Sequence, residues 1–378
     1  MSMTLVRAGY IPLLDCAALV VAAERGFAEA EGLALKLTRE TSWANIRDRT
    51  AIGHFDVAHM LGPMAIAASL GLGPLSTPII APVALGRGGN TVTVQMALFH
   101  EMRAAGFAEG PAAAGAALAR VVAARRASGR PPLRFGVVHP HSSHNYDLRY
   151  WLAACGIDPV QDIATTVVPP PFMADALMAD HIDGFCVGEP WGTVAVAAGA
   201  GRIVTTKAEI WPRSPEKVLG VSEAFAREHP DAAAGLVRAI VAAAAWCDDS
   251  ANHGDLVALL SRADCLGVDA ALLRPALEGE LMLGGGETRR VEEFILYARH
   301  DANRPESAHA LWLFQQMVRW GDAEDRAENR RRAVATYRPD LFNAALSHSP
   351  FAPTLGGSDL RIPAGSDPAE GPFDRTKR

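Results

Sequence analysis

A chain of 378 residues, 49% hydrophobic and 21% charged, with a mean hydropathy of +0.08, is globular and long enough for about two domains with separate cores. Its formal charge of −6, from 36 Lys and Arg against 42 Asp and Glu, excludes a net basic field able to hold nucleic acid or an anionic membrane surface. The alanine-rich stretches 112–124 and 232–246 carry Arg120 and Arg238, so neither reads as the roughly 20-residue uninterrupted apolar run of a membrane-spanning helix.

In chain order, short apolar runs alternate with longer helical ones, the pattern of an α/β protein with a mostly parallel sheet. Residues 4–8 read as a first strand, with Asp15 as the N-cap of a helix over 16–29 closed by Gly32. A strand follows over 35–39. Ser42 then caps a helix from Trp43 to Ala51, and 55–58 makes a short strand. The stretch 107–129 reads as an exposed helix plus a linker. LRFGVV at 133–138 is a buried strand, followed by a polar loop, a helix over 144–155 and a strand over 163–168 that stops at Pro169-Pro170-Pro171. Past residue 290 the pattern is helical, and 346–378 reads as a Pro/Gly-rich tail. One weak internal repeat is visible: DVAHMLGP at 56–63 and DGFCVGEP at 183–190 each place an Asp seven residues before a Pro that opens an Ala-rich helix.

Enzyme signatures are missing: the chain has no GxSxG, P-loop or HExxH motif, and no GxGxxG between a strand and a helix. No catalytic residue, cofactor or metal is expected. His139, His141 and His144 form the one dense histidine cluster, with only Asp147 beside them at ligand spacing; His139 and His141 read as a solvated loop, and His144 opens the helix that follows. Cys16, Cys155, Cys186, Cys247 and Cys265, without a Cys-x-x-Cys pair, read as reduced, buried thiols of a cytoplasm. Several polar groups sit at strand–helix junctions: Trp43, Gln95, His144, Gly188 and Lys217. Gathered together they would offer an indole, an amide, an imidazole, free backbone N–H groups and one ammonium, a set suited to a small oxyanion. Taken singly, Trp43 reads more readily as a core anchor, Gln95 as a surface amide and Lys217 as a solvated charge.

Longer strings carry a resemblance. GYIPL at 9–13, SWANIRD at 42–48, AHMLGPM at 58–64, GNTVT at 89–93, HNYDLRYWL at 144–152, DGFCVGEPW at 183–191 and PEKVLGV at 215–221 are similar, in that order, to the nitrate/bicarbonate-binding family related to ABC-transporter substrate receptors. The resemblance implies a type II periplasmic-binding-protein fold, two α/β lobes around a central ligand cleft with a hinge crossed twice. It divides the chain into one lobe over 1–95 and 205–345, a second over 96–204, and the tail. The family's anion site falls on Trp43, Gln95, His144, Gly188 and Lys217. A lysine at 217 implies nitrate or nitrite, where bicarbonate members carry an acidic residue and recruit calcium.

Only eight residues precede Gly9, without a charged leader and apolar core, so the expected location is cytoplasmic. Within the family this resembles the NasS-type nitrate/nitrite sensors, which hold a NasT-like ANTAR-domain antiterminator until the anion arrives. The expected partners are therefore that protein and the anion, with no direct nucleic acid and no membrane. The alternative is the substrate-binding component of a nitrate or bicarbonate ABC transporter. The arginines 319, 326, 330, 331 and 332 read as a solvated helix face, or else as a patch for an acidic partner.

Overall fold

Strands form where apolar β-branched runs are bounded by Gly, Pro and Ser. The computed structural model describes residues 3–75 and 77–347. Up to Ser222 its strands are β1 (Thr4–Tyr10), β2 (Leu33–Arg39), β3 (Val57–Leu61), β4 (Ile79–Ala84), β5 (Arg87–Gly88), β6 (Asn90–Gln95), β7 (Leu133–Val137), β8 (Ile163–Val167), β9 (Gly184–Gly188), β10 (Gly201–Thr206) and β11 (Lys217–Ser222). The fold is the expected α/β class, and the chain separates into two compact units.

Unit 1 takes the described residues up to Arg87, then Pro215–Gly267 and those from Leu296 onward. Its sheet has the order β2-β1-β3-β11-β4. β1, β2 and β3 run parallel, and β11 runs antiparallel between β3 and β4. Ser42 caps the helix Trp43–Ala51 as expected, its hydroxyl accepting the Asn45 N–H. The helix Pro230–Asp248 has the length and mean hydropathy, 1.3, of a spanning helix, although its sequence with Arg238 argues against one. Here it is a core helix: Leu236, Ile240, Ala243 and Ala244 are buried, and it packs on the helices Ala17–Glu24, Phe27–Ala30 and Pro339–Leu346. Arg238 reaches the surface and pairs with Glu31 at 2.7 Å.

Unit 2 takes Gly88–Ser214 and Val268–Ile295. Its sheet has the order β10-β6-β9-β7-β8, with β7 parallel to β8 and β9, and β6 antiparallel to both β9 and β10. The helix Pro111–Ala127 is not simply exposed: Ala117, Leu118, Val121 and Val122 are buried in the unit 2 core. Gly115 lets it approach its neighbour, because an added Cβ would collide with Cys155 Sγ.

The boundaries differ from the expected lobes. Among the described residues the chain changes unit four times rather than twice, and 268–295 lies in unit 2. The reason is a hairpin, β12 (Glu280–Gly284) with β13 (Glu287–Arg290), that packs on β10 and on the helix Trp191–Ala197. Arg202, on β10, is buried; it pairs with Glu287 at 2.6 Å and donates to the Gly284 carbonyl at 3.0 Å. Beyond Ser347 the expected tail lies outside the described residues.

Candidate functional site

In an open α/β sheet the loops at the carboxyl ends of the parallel strands hold ligands, and an antiparallel strand presents its amino end there. In unit 1 this edge carries Asp15 after β1, Trp43 after β2, the end of β3, and Lys217 as the first residue of β11, paired with Leu61. Lys217 is therefore a strand residue rather than a loop charge, and it is 1% exposed. Its Nζ lies 2.7 Å from Asp15 Oδ2, 2.5 Å from Glu216 Oε1 and 5.6 Å from the centre of the Trp43 ring.

Asp15 is not a helix cap. It lies inside the short 3-10 turn Leu14–Cys16, and its carboxylate also faces His59 Nε2 at 2.9 Å. Because His59 Nδ1 accepts the Ile11 N–H at 3.3 Å, the imidazole is the neutral Nε2–H tautomer. Burial lowers the His59 pKa, a shift that Asp15 only partly opposes. Burial alone would raise Asp15, yet Lys217 and His59 outweigh it and leave that carboxyl below its ordinary range. His59 also packs on Trp43, ring centres 5.2 Å apart. One buried network thus fixes both Trp43 and Lys217, and the ammonium is already faced by two carboxylates.

In unit 2 the corresponding edge brings together Asn90 at the start of β6, Gly188 at the end of β9 and the loop after β7. Asn90 and Gly188 are register partners, and Asn90 is fully buried. His144 is the second residue of the helix Ser143–Ala154, whose cap Ser142 accepts the Asn145 N–H at 3.1 Å. His139, expected in a solvated loop, is buried, and His144, fully buried, opens its helix as expected. One turn on, Asp147 pairs at 2.8 Å with Lys207, which follows β10 and is equally buried. After Gly188, Glu189 turns inward, 1% exposed. Its Oε1 accepts from the Thr91 hydroxyl and its Oε2 from the Thr193 N–H, each at 3.0 Å.

Gln95 does not join this group. It ends β6 opposite Gly201, five residues from the Asn90–Gly188 pair, or roughly 16 Å along a strand. Its amide donates to the Leu177 carbonyl and to Asp180. The strand amide beside Gly188 belongs to Asn90, and the strand-direction rule would have found it. The other groups at these edges are Asp15, which the sequence suggested as a helix cap, and His59, Glu216, Lys207 and Glu189, to which no motif gave a role. Among the described residues no three His, Cys, Asp or Glu side chains gather as a metal site. The basic helical face is largely matched locally, Arg326 by Glu324 at 2.5 Å and Arg330 by Asp325 at 2.9 Å.

The NMT1-like family matches residues 2–261. The chain is 35% identical over 358 residues to the nitrate import ATP-binding protein NrtC of Synechocystis sp. PCC 6803, covering 93% of this chain and 50% of that one. It is 36% identical over 325 residues to the bicarbonate transport ATP-binding protein CmpC of the same organism, covering 83% and 45%. The chain therefore spans about half the length of these relatives. Among solved structures it is similar to the periplasmic nitrate-binding protein NrtA from Synechocystis PCC 6803, with a TM-score of 0.86 and 26% identity, covering 93% and 91% of the two chains. By sequence and by its periplasmic-binding-protein fold, the chain belongs to the NMT1-like family.

Proposed function

We propose that this protein is the nitrate- or nitrite-binding receptor of an anion uptake system, with Trp43, His144, Gly188 and Lys217 of the expected set, and Asn90, as the groups offered to the anion. The observation that carries this reading is the buried Lys217 ammonium held against Trp43 at the carboxyl edge of a sheet, in a chain similar along most of its length to NrtA. Nitrate is a planar, weakly basic monoanion. It suits a flat aromatic wall, a few neutral donors and one cation. Gln95 is left out of this set because its position and partners place it at the other end of β6.

A transport receptor is set ahead of the cytoplasmic sensor because the two named ATP-binding relatives are import and transport components. Release of a NasT-like antiterminator remains the competing reading. Calorimetric titration with nitrate, nitrite and bicarbonate, the last with and without calcium, tests the ligand. Heat from nitrate or nitrite alone supports the proposal; binding of bicarbonate only with calcium transfers the site to that anion, and no binding by any of the three overturns the receptor reading. Fractionation of cells separates the roles: a transport receptor is recovered with the envelope, a sensor with the cytosol.

A further inference from the structure

This inference rests on the anion-receptor reading. We propose that Glu189 sets the affinity of the anion site through its proton: an anion held at Gly188 enters together with one proton taken up from solution by the Glu189 carboxyl, so that binding tightens as pH falls.

The argument begins with an isolated charge. Glu189 follows Gly188 directly in the chain, and its own N–H donates to the Gly89 carbonyl at 2.9 Å, beside Asn90. Thr91 on β6 and Thr193 on the helix Trp191–Ala197 meet its carboxyl, with Thr93 of β6 beside Gly192; none of the three titrates. Gly192 completes the enclosure, because a Cβ there would collide with both Thr91 Oγ1 and Glu189 Oε1. The partners of the carboxyl are thus a hydroxyl and a backbone N–H, with no Arg, Lys or His ion pair to Glu189 among the described residues.

The charged groups elsewhere on this edge are Lys207 and Asp147, paired with each other, and the other titratable side chains are His144 and, in the loop after β7, His139 and His141. Burial pushes the Glu189 carboxyl up from its ordinary range, against the opposing pull of Thr193 and Thr91. A second negative charge one residue away in a water-poor site disfavours the ionised form further. Binding must then draw in a proton, and by linkage a proton must favour binding. A protonated Glu189 keeps its place, since its O–H can donate to Thr91 Oγ1 once the threonine hydrogen turns away.

The test is nitrate calorimetry at one pH in buffers of different ionisation enthalpy, which counts protons, together with Kd from pH 5.5 to 8.5. Wild-type protein should take up close to one proton per nitrate at the lower pH values where Glu189 titrates, with Kd falling by up to about tenfold per pH unit there. Glu189→Gln, which copies the protonated side chain, should bind nitrate on the order of a hundredfold more tightly at pH 8, as close to one proton per nitrate requires, and lose the pH dependence. Thr91→Val, which removes a hydrogen bond to the ionised carboxyl, should keep the pH dependence and move it to higher pH.

Nitrate binding without proton uptake overturns this inference and leaves the receptor reading intact. So does a Glu189→Gln protein whose affinity falls with an unchanged pH profile, or a Thr91→Val protein whose pH profile stays where it was. If Glu189→Gln does not fold, the wild-type proton count and the Thr91→Val profile decide. Absence of binding by nitrate, nitrite and bicarbonate overturns both readings.

Discussion

The two units are built on one plan and charged on different plans. Each sheet places a second strand, a first, a third and then an antiparallel strand in that order, β2-β1-β3-β11 in one and β8-β7-β9-β6 in the other. In each, an Asp at the start of the third strand clamps the first strand through its backbone N–H and its arginine. Asp56 holds Arg7, and Asp183 holds Arg134, both across 49 residues. The edges then diverge. Unit 1 gathers Asp15, Glu216 and Lys217 around a neutral His59, so its carboxylates have a cation. Unit 2 encloses Glu189 with neutral donors. The scaffold dictates where polar groups collect, and the residues at three or four positions decide whether that collection is balanced or frustrated.

Four changes sharpen or break this contrast, from the largest expected effect downward. Lys217→Met leaves two carboxylates buried without their cation and should cost about 3–5 kcal/mol in urea unfolding, besides abolishing nitrate binding. Lys217→Glu should be at least as damaging, since a third carboxylate would enter the cluster; an unfolding cost below about 1 kcal/mol would show that the cluster is not coupled. The matched clamps should behave alike: Asp56→Ala and Asp183→Ala each strand a backbone N–H, at about 1–2 kcal/mol, and a large disparity between them would break the equivalence of the units.

The two buried carboxyls should respond to pH in opposite senses. The Asp15 pKa is lowered in the folded protein, so its contribution is present above the ordinary carboxylate pKa and is lost as pH falls through the folded value. The Glu189 pKa is raised, so its contribution is present in acid and lost as pH rises through the folded value. Glu189→Gln should therefore gain on the order of 1 kcal/mol at pH 8 and little at pH 4, read by urea unfolding at both pH values. A gain equal at both would remove titration as the cause. Smallest of all, Gln95→Ala should change nitrate affinity by less than about twofold, whereas Asn90→Ala should weaken it by about tenfold. The reverse ranking would restore Gln95 to the site.

Most of the strand and helix framework was legible because local signals agreed with the fold. Ser42 before Trp43 is a cap at the right place, and the LRFGVV run is an apolar run of strand length followed by a polar loop. The Asp56 and Asp183 repeat was visible as spacing, but its meaning was not, because the clamped arginines lie 49 residues upstream in other strands. The site was legible in part. Trp43, His144, Gly188 and Lys217 sit at carboxyl edges, whereas Gln95, implied by the resemblance and by its place at the end of an alternating run, lies at the opposite end of an antiparallel strand. Asp15 was misread because an acidic residue just before an apolar helix looks the same as a cap, and only tertiary structure supplies its lysine. The hairpin of 280–290 was also beyond reach, since what assigns it to unit 2 is a partner on β10, Arg202, rather than any local pattern.

That hairpin bears on how the protein can be cut. Unit 2 is not a continuous length of chain, because 88–214 and 268–295 are separated by a return to unit 1. A fragment ending at Ser214 would keep all five strands of the unit 2 sheet yet leave Arg202, only 4% exposed in the intact unit, without the Gly284 carbonyl and without Glu287. Its guanidinium would stand over Phe99, 4.9 Å from the ring centre, on a surface opened to water. Nascent unit 2 is in that same position while 215–267 is being made, so its last ion pairs await sequence synthesised some 70 residues later. Completion of the second unit is therefore tied to synthesis of most of the first.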